Sequence, residues 1–271
     1  MATCYRHPDR ETGVSCSNCG RPICPDCMTP TPVGMRCPEC ARQRTRVSTG
    51  PASFGRSNAA PATYTLIALN VIAFVAELAG GGNFSSEGSS VVNDFATFAP
   101  SIADGEWYRT VTGGFLHAGP LHLLLNMFAL YILGTLLEPM IGTPRFLAIY
   151  AASLLAGSLG VVLLEPDAQS VGASGAVFGL FAAAFVISRG RGMEQVASQL
   201  GFILLLNFAF TFGIPGISIG AHLFGAAGGA LCALLVIAGD RGAFGRRRVI
   251  AEVGSIVLLA VLAAALAVGL A

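Results

Sequence analysis

Residues 172–189 read GASGAVFGLFAAAFVISR, an apolar run that begins beside a serine and ends with an arginine. It is one of several apolar stretches, which lie near 62–80, 120–140, 145–164, 173–188, 196–213, 217–238 and 249–270. Most of them approach the ~20 residues that a helix needs to cross a bilayer. Over the whole chain 54% of residues are hydrophobic and 11% are charged, whereas an average soluble domain carries about 25% charge. The sequence therefore predicts an all-α protein that crosses a lipid bilayer several times.

The charged residues between these spans alternate by side. Basic residues follow spans two, four and six: Arg145, Arg189, Arg191, Arg241, Arg246, Arg247 and Arg248. Acidic residues follow spans one, three and five, with Arg109 as their single basic neighbour: Glu87, Asp94, Asp104, Glu106, Glu165 and Asp167. Arginine-rich loops tend to stay on the cytoplasmic side. We therefore expect a multi-pass protein of the cell membrane with a cytoplasmic N-terminus and an extracytoplasmic C-terminus.

Three spans carry polar residues near the same end. Span two begins with His122 and Asn126, which are four residues apart and so share a helical face. Span four begins at Ser174, and span six carries His222 near its start. All three spans run from outside to inside, so these residues should converge at one depth. From Ser174 to Arg189 a helix rises roughly 22 Å within a hydrocarbon core of about 30 Å, which places the serine below the outer surface.

Small residues recur beside these polar positions. Gly175-x3-Gly179 lies on span four and Gly225-x3-Gly229 lies on span six. Glycines at this spacing allow two helices to approach closely in a membrane. Such an approach would bring the serine of span four and the histidine of span six within hydrogen-bond reach, which activation of a nucleophile requires.

The first forty residues carry a separate pattern of metal-ligand residues at two-residue spacing. The pairs are Cys4 with His7, Cys16 with Cys19, Cys24 with Cys27, and Cys37 with Cys40. Eight ligands suffice for two tetrahedral zinc ions. A disulfide framework is the alternative, but seven thiols and one histidine form an odd set for it, and a cytosolic location would keep thiols reduced. We therefore expect two structural zinc ions.

The short gap between the second and third pairs favours an interleaved arrangement, which resembles a B-box-type zinc finger. One ion would be held by Cys4, His7, Cys24 and Cys27, and the other by Cys16, Cys19, Cys37 and Cys40. Sequential pairing stays open. A segment this small would take most of its folding energy from the metal. Its arginines are typical of a solvated face, so we expect no nucleic acid. The linker that follows gives the segment independent reach, which favours a cytosolic protein partner over a folded cap without a partner.

These patterns divide the chain into four parts. Residues 1–41 form a cytosolic zinc-binding domain, and 42–61, rich in Arg, Ser, Ala, Gly and Pro, form a flexible linker. Residues 62–240 form a core of six transmembrane helices. Residues 241–271 form a basic cytoplasmic loop and a seventh transmembrane helix.

Over residues 62–240 the chain resembles the rhomboid family of intramembrane proteases. The motifs that carry this resemblance are Trp107-Tyr108-Arg109, Gly114-Phe115-Leu116-His117, His122-x3-Asn126, Gly172-Ala173-Ser174-Gly175 and Ala221-His222-x2-Gly225-x3-Gly229. They occur in the family's order and on the expected spans. The resemblance implies a rhomboid-like six-helix bundle, to which the seventh helix is an addition found in some branches.

The resemblance also implies roles for particular residues. Ser174 would attack the scissile carbonyl, and His222 would take its proton as the second member of a dyad that needs no cofactor. His122 and Asn126, with the backbone N–H of Ser174, would form an oxyanion hole. The substrates would be single-span membrane proteins, cut in or near their transmembrane segments.

Other positions of the resemblance are expected to be structural or to differ from the family. His117 and Arg109 belong to the long first external loop and would stabilise it through hydrogen bonds. Many family members have a tyrosine four residues after the nucleophile, packed on the catalytic histidine. Here that position is Phe178, which keeps the ring face and loses the hydroxyl.

Two other functional classes fit parts of the pattern. An inactive rhomboid-like scaffold would bind transmembrane segments without cutting them, but the chain carries both Ser174 and His222. A channel or transporter would be expected to carry intramembrane carboxylates along its path, whereas the convergent positions of spans two, four and six are Ser, His and Asn. A serine endopeptidase of the membrane is the favoured interpretation.

Overall fold

The computed structural model describes residues 2–31, 34–42, 60–81, 89–243 and 248–271. The chain divides into two compact units, Met1–Gly55 and Arg56–Ala271. Most of the predicted linker, 42–61, lies outside the described residues, as do Glu87, Arg246 and Arg247 of the charge pattern. The two units are described separately below.

The N-terminal unit consists of short strands and one short helix. Its elements are β1 (Ala2–Thr3), β2 (Glu11–Thr12), β3 (Thr29–Thr31), β4 (Gly34–Arg36) and α1 (Pro38–Arg42). β1 pairs with β2 and β3 pairs with β4, both antiparallel. The buried cluster of this unit contains six cysteines and Ile23. A core made almost entirely of cysteine has little apolar area to bury, which is typical of a domain folded around metal.

The second unit is helical. Its short helices are α3 (Ser90–Phe95), α4 (Ala99–Ala103) and α5 (Arg109–Thr112). Its long helices are α2 (Pro61–Ala79), α6 (Pro120–Ile141), α7 (Thr143–Leu164), α8 (Ser174–Gly190), α9 (Glu194–Gly213), α10 (Ile219–Asp240) and α11 (Arg248–Leu270). Among the described residues, six of these are long and apolar enough to cross a membrane, and α8 is shorter, with 17 residues. Every predicted apolar stretch therefore forms a helix, and the predicted all-α fold is confirmed.

Helix α8 lies at the centre of the unit, with α6, α7, α9 and α10 packed around it. The glycine stripes predicted to allow close packing face each other. A Cβ added to Gly225 would overlap the carbonyl oxygen of Gly175, and one added to Gly229 would overlap that of Gly179. The backbones of α8 and α10 are thus in direct contact, which places the first turns of these two helices side by side.

Two buried or half-buried carboxylates bind the N-termini of other helices. Glu138, inside the second span, accepts hydrogen bonds from the amides of Ala62 (3.1 Å) and Thr63 (2.9 Å) in the first turn of α2. Glu165, just after α7, accepts from the amides of Ile219 (2.7 Å) and of the next residue of α10. The first amides of a helix have no partner within it and carry partial positive charge. These carboxylates therefore hold α2 and α10 in place, a role that sequence analysis did not assign to them.

A third buried carboxylate joins the seventh helix to the core. Glu252 of α11 forms an ion pair with Arg145 at the start of α7, and its side chain is fully buried. Arg145 also donates to the carbonyl of Ile141 (3.1 Å). Breaking a buried ion pair by removing one partner is strongly destabilising, because the other charge is left uncompensated. Helix α11 is consequently an integral part of the bundle.

Candidate active site

Ser174 and His222 meet where α8 and α10 begin. Ser174 is the first residue of α8, and His222 lies in the first turn of α10. The Nε2 atom of His222 lies 2.9 Å from the Oγ atom of Ser174. His222 is buried and Ser174 is half-buried. This distance is that of a hydrogen bond, the contact through which a histidine can activate a serine.

The second nitrogen of His222 contacts a residue that sequence analysis did not single out. Nδ1 of His222 lies 2.7 Å from Oγ1 of Thr211, near the end of α9. Thr211 is buried, and its hydroxyl also donates to the carbonyl of Asn207 (2.9 Å). A threonine near the end of an apolar span is unremarkable in sequence, because such hydroxyls commonly bond back to their own helix.

The face of the His222 ring packs on Phe178. The two ring centroids lie 3.9 Å apart and the planes differ by 15°. Phe208 of α9 packs edge-on against Phe178, with centroids 5.1 Å apart. Phenylalanine thus supplies the ring contact expected at this position, and the imidazole is held in a defined plane.

His122, near the start of α6, lies beside the loop that precedes Ser174. The backbone N–H of Ala118 donates to its Nδ1 atom (3.2 Å), so in the neutral ring the proton is on Nε2. The Nε2–H group of His122 lies beside Gly172. The backbone of Gly172 has φ +131°. A Cβ added to Gly172 would lie 3.0 Å from His122 Nε2 and 3.6 Å from Ser174 Oγ. Because residue 172 is a glycine, the loop before Ser174 can pass directly beside the ring of His122.

Asn126 follows one turn later on the same face of α6. Its Nδ2 atom donates to the carbonyl of His122 (2.9 Å), and the side chain is buried. A primary amide has two N–H bonds, so one remains available to a further acceptor. The structure thus brings Ser174, His222 and His122 together, with Asn126 bonded to the last of these.

Comparison with known proteins now decides the family. Residues 104–239 match the family model described as the Rhomboid domain, a range that contains the residues of the site. The chain belongs to the rhomboid family. With its apolar helices, this makes it a multi-pass membrane protein.

Two relatives of this rhomboid come from Bacillus subtilis. "Rhomboid protease GluP" is 35% identical over 210 residues, which are 76% of this chain and 39% of the relative. "Putative rhomboid protease YdcA" is 42% identical over 141 residues, which are 50% of this chain and 70% of the relative. "Rhomboid-like protease 3" of Toxoplasma gondii is 42% identical over 85 residues, 32% of its length. The chain therefore spans about two fifths of the length of the first relative.

The long first loop of this rhomboid is held by buried hydrogen bonds. His117 is fully buried, and its backbone N–H donates to the carboxylate of Glu77 (3.0 Å). Arg109 is also buried and donates to the carbonyls of Asn93 (2.8 Å) and Ala96 (3.2 Å). The side chain of His117 also contacts the loop, with Nδ1 3.2 Å from the carbonyl oxygen of Phe115. Both side chains thus bind the loop itself.

A cavity of this rhomboid lies between α7 and the loop that precedes Ser174. Its lining residues are mostly small, and they include Gly113, Gly157, Ser158, Gly172, Gly175 and Ala221. The cavity lies beside the loop before Ser174. Neither Ser174 nor His222 is among the residues that line it.

The ligand residues of the N-terminal unit form two groups with the interleaved pairing. The groups are Cys4, His7, Cys24 and Cys27, and Cys16, Cys19, Cys37 and Cys40, and within each group the donor atoms lie within 4.8 Å of one another. His7 Nδ1 lies 3.3 Å from Cys24 Sγ and 3.5 Å from Cys27 Sγ, and Cys19 Sγ lies 3.8 Å from Cys37 Sγ. Tetrahedral coordination with metal–sulfur bonds of about 2.3 Å separates neighbouring ligands by about 3.5–3.8 Å. Both groups therefore fit a metal ion.

The thiols of these groups have unequal acidity. Burial, together with hydrogen bonds to the thiols of Cys4 and Cys24, raises the pKa of the Cys27 thiol to about 11. At Cys4 burial acts to raise the pKa, but hydrogen bonds from the backbone of Arg6 and Cys24 outweigh it and lower the pKa to about 6. Crowded sulfurs resist ionising together, and a bound cation would compensate the charge that all of them carry as ligands.

Proposed function

We propose that the protein is an intramembrane serine endopeptidase in which Ser174 is the nucleophile and His222 its base. The observation that carries this proposal is the 2.9 Å separation between Ser174 Oγ and His222 Nε2, formed by two residues 48 positions apart. Membership of the rhomboid family supports it, and the relatives described above are named as proteases. Chemically, the pair can transfer a proton and form an ester with a peptide carbonyl.

The reaction would proceed in two halves. His222 Nε2 accepts the hydroxyl proton as Ser174 Oγ attacks the scissile carbonyl, and then passes this proton to the leaving amine. The acyl group stays on Ser174. A water molecule, deprotonated by His222, then hydrolyses the ester and restores the serine.

The oxyanion formed in each half would be stabilised by three donors. These are the Nε2–H group of His122, the second amide N–H of Asn126, and the backbone N–H of Ser174, which as a first amide of α8 has no partner within the helix. The close approach of His122 to Gly172 and Ser174 supports this arrangement. Removing one such donor from a serine protease costs about 10²–10³ in rate.

The substrates would be single-span membrane proteins, cut in or near the transmembrane segment. The charge pattern supports an orientation in the cell membrane with the N-terminus cytoplasmic, the C-terminus extracytoplasmic and Ser174 nearer the outer surface. An extended or unwound substrate segment is required, because the carbonyls of a helix are bonded and shielded from attack.

The N-terminal unit would bind two structural zinc ions, one in each interleaved group. The ligand distances and the cysteine-rich core support this assignment, and zinc is the common ion for four sulfur and nitrogen ligands. We place this cytosolic domain at 1–41, a linker at 42–61, the protease core at 62–240, and the basic loop with the seventh helix at 241–271. A cytosolic protein is the proposed partner of the zinc domain.

The test uses the purified full chain, its Ser174→Ala variant and a fluorophosphonate, which labels activated serines. The wild type should be labelled at Ser174 and should cleave members of a panel of single-span substrates, whereas Ser174→Ala should do neither. Equal cleavage by the two proteins would overturn the assignment. A wild type that binds transmembrane segments but is neither labelled nor cleaves them would support the alternative, an inactive scaffold.

A further inference from the structure

Thr211 connects α9 to the candidate base on α10. It is 2% exposed, and its Oγ1 atom lies 2.7 Å from His222 Nδ1. The same oxygen lies 2.9 Å from the carbonyl oxygen of Asn207, one turn earlier in α9. His222 Nε2 in turn faces Ser174 Oγ. These contacts form one chain from the nucleophile to a backbone carbonyl.

The protons in this chain can be assigned by counting. The Thr211 hydroxyl donates its single proton to the carbonyl of Asn207, which can only accept. Oγ1 then accepts a hydrogen bond, and the imidazole Nδ1 must be the donor. A neutral imidazole has one N–H, so Nε2 keeps a lone pair and accepts the proton of Ser174. With the opposite tautomer, two acceptor oxygens would face each other at 2.9 Å between Thr211 and Asn207.

Stacking on Phe178 cannot decide which edge of the His222 ring faces Ser174. An aromatic face contacts the imidazole equally well after the ring rotates by half a turn about its bond to Cβ. That rotation would exchange Nε2 for a carbon atom at the position next to Ser174. The hydrogen bond to Thr211 distinguishes the two orientations, because the rotated ring places a carbon against Oγ1.

We propose that Thr211 is a positioning residue, which holds His222 with its proton on Nδ1 and its Nε2 lone pair toward Ser174. The inference rests on the proposed function, since the tautomer matters only if His222 is the base. The threonine occupies the place that a carboxylate takes in a Ser-His-Asp triad. The threonine orients the His222 ring but, unlike a carboxylate, brings no negative charge to it.

The experiment compares three variants of the full chain. Thr211→Val keeps the shape of the side chain and removes the hydroxyl, and Thr211→Ser keeps the hydroxyl and removes the methyl group. The matched control is Thr135→Val in α6, where the threonine makes the same bond to its own helix, to the carbonyl of Tyr131 (2.7 Å). Labelling of Ser174 by a fluorophosphonate, and kcat and KM on a single-span substrate, are measured for each.

We expect Thr211→Val to lower the labelling rate and kcat by roughly 10- to 100-fold, as loss of one hydrogen bond to a group that becomes charged implies. KM should stay within about twofold, because substrate binding is untouched. Thr211→Ser should retain most of the rate, and Thr135→Val should behave as the wild type. Thr211→Val should unfold at a lower temperature than Thr135→Val, because it also leaves the buried Nδ1–H of His222 without its acceptor.

Three outcomes would overturn the inference. They are a Thr211→Val rate equal to the wild type, a Thr211→Ser variant as slow as Thr211→Val, and a rise in KM at unchanged kcat. If the wild type itself is not labelled, the proposed function fails. The inference is then decided by ¹⁵N spectra of histidine-labelled protein, in which His222 should carry its proton on Nδ1 in the wild type and lose this preference in Thr211→Val.

Discussion

At the scale of single residues, the two histidines of the site carry their proton on opposite nitrogens. The amide of Ala118 donates to Nδ1 of His122 and leaves its Nε2–H as a donor. The hydroxyl of Thr211 accepts from Nδ1 of His222 and leaves its Nε2 as an acceptor. A stabiliser of negative charge needs a donor and a general base needs an acceptor. Local hydrogen bonds thus suit one residue type to the two roles proposed for His122 and His222.

Gly172 is the residue whose substitution should disturb this arrangement most directly. A Cβ there would lie 2.7 Å from His122 Cε1, and the backbone has φ +131°. We expect Gly172→Ala to displace His122 and to lower kcat by more than about 10-fold. This loss is smaller than the roughly 10²–10³-fold loss that removal of one oxyanion donor causes, because the donor is displaced and not removed. The measurement is kcat on a single-span substrate.

The control for this prediction is Gly192→Ala. Gly192 also has a positive φ, +75°, but no atom lies within 4 Å of its added Cβ. The Gly192→Ala substitution should lower the free energy of unfolding by about 1–3 kcal/mol through backbone strain and should leave kcat unchanged. Equal activity of the two variants would show that the contact between Gly172 and His122 has no part in catalysis.

At the scale of helices, the site depends on direct backbone contact between α8 and α10. Gly225 lies three residues after His222 and touches the carbonyl of Gly175, next to Ser174. Any side chain at 225 forces the helices apart at the level of the dyad. The distance between Ser174 and His222 is therefore set by residues that carry no chemistry themselves.

Gly225→Ala should lower both activity and stability. The added methyl group overlaps backbone atoms that cannot rotate away, and overpacking of this kind costs about 1–3 kcal/mol. The matched control is Gly254→Ala in α11, where no atom lies within 4 Å of the new Cβ; it should be neutral or stabilising by up to about 1 kcal/mol. Thermal unfolding and fluorophosphonate labelling measure the two effects. Wild-type labelling of Gly225→Ala would contradict the role given to this contact.

At the scale of the whole molecule, the chain combines a helical membrane unit with a cysteine-rich unit stabilised by other means. Buried carboxylates fasten helices of the first to one another, as Glu252 does for α11 and α7. The second has six cysteines and Ile23 as its buried cluster. Its stability is thus expected to depend on metal, whereas that of the membrane unit is not.

The metal content of single variants should separate the two proposed zinc sites. The purified protein should contain about two zinc ions per chain, and Cys24→Ser should retain about one, because Cys24 belongs to only one group of ligands. Cys232→Ser is the control, since this buried cysteine lies in α10 and should not change the content. Elemental analysis gives the ratio. Loss of both ions from Cys24→Ser would contradict independent sites. Cleavage assays on the same variant would show whether the zinc domain regulates the protease or has no effect on it.

Much of the architecture follows from local sequence. The apolar runs predicted each long helix. A helix that crosses a bilayer needs about 20 consecutive apolar residues, and such a run can be recognised from neighbouring residues alone. The metal-ligand pairs were predicted for the same reason, since each pair lies in one turn of chain, whereas the structure decides that the groups are interleaved and not sequential. The family motifs named Ser174, His222, His122 and Asn126, and the structure brings the first three of these together.

The sequence by itself thus determined the helices, the ligand pairs and the identity of the candidate dyad, all of which depend on neighbouring residues or on a recurring motif. The tertiary structure alone decided which nitrogen of each histidine bears a proton, and it revealed Thr211, Glu165 and Glu252 as partners of distant groups. These three residues are of ordinary types at ordinary positions. Their roles come from hydrogen bonds and ion pairs between separate helices, and such contacts exist only once packing has placed donor and acceptor within about 3 Å.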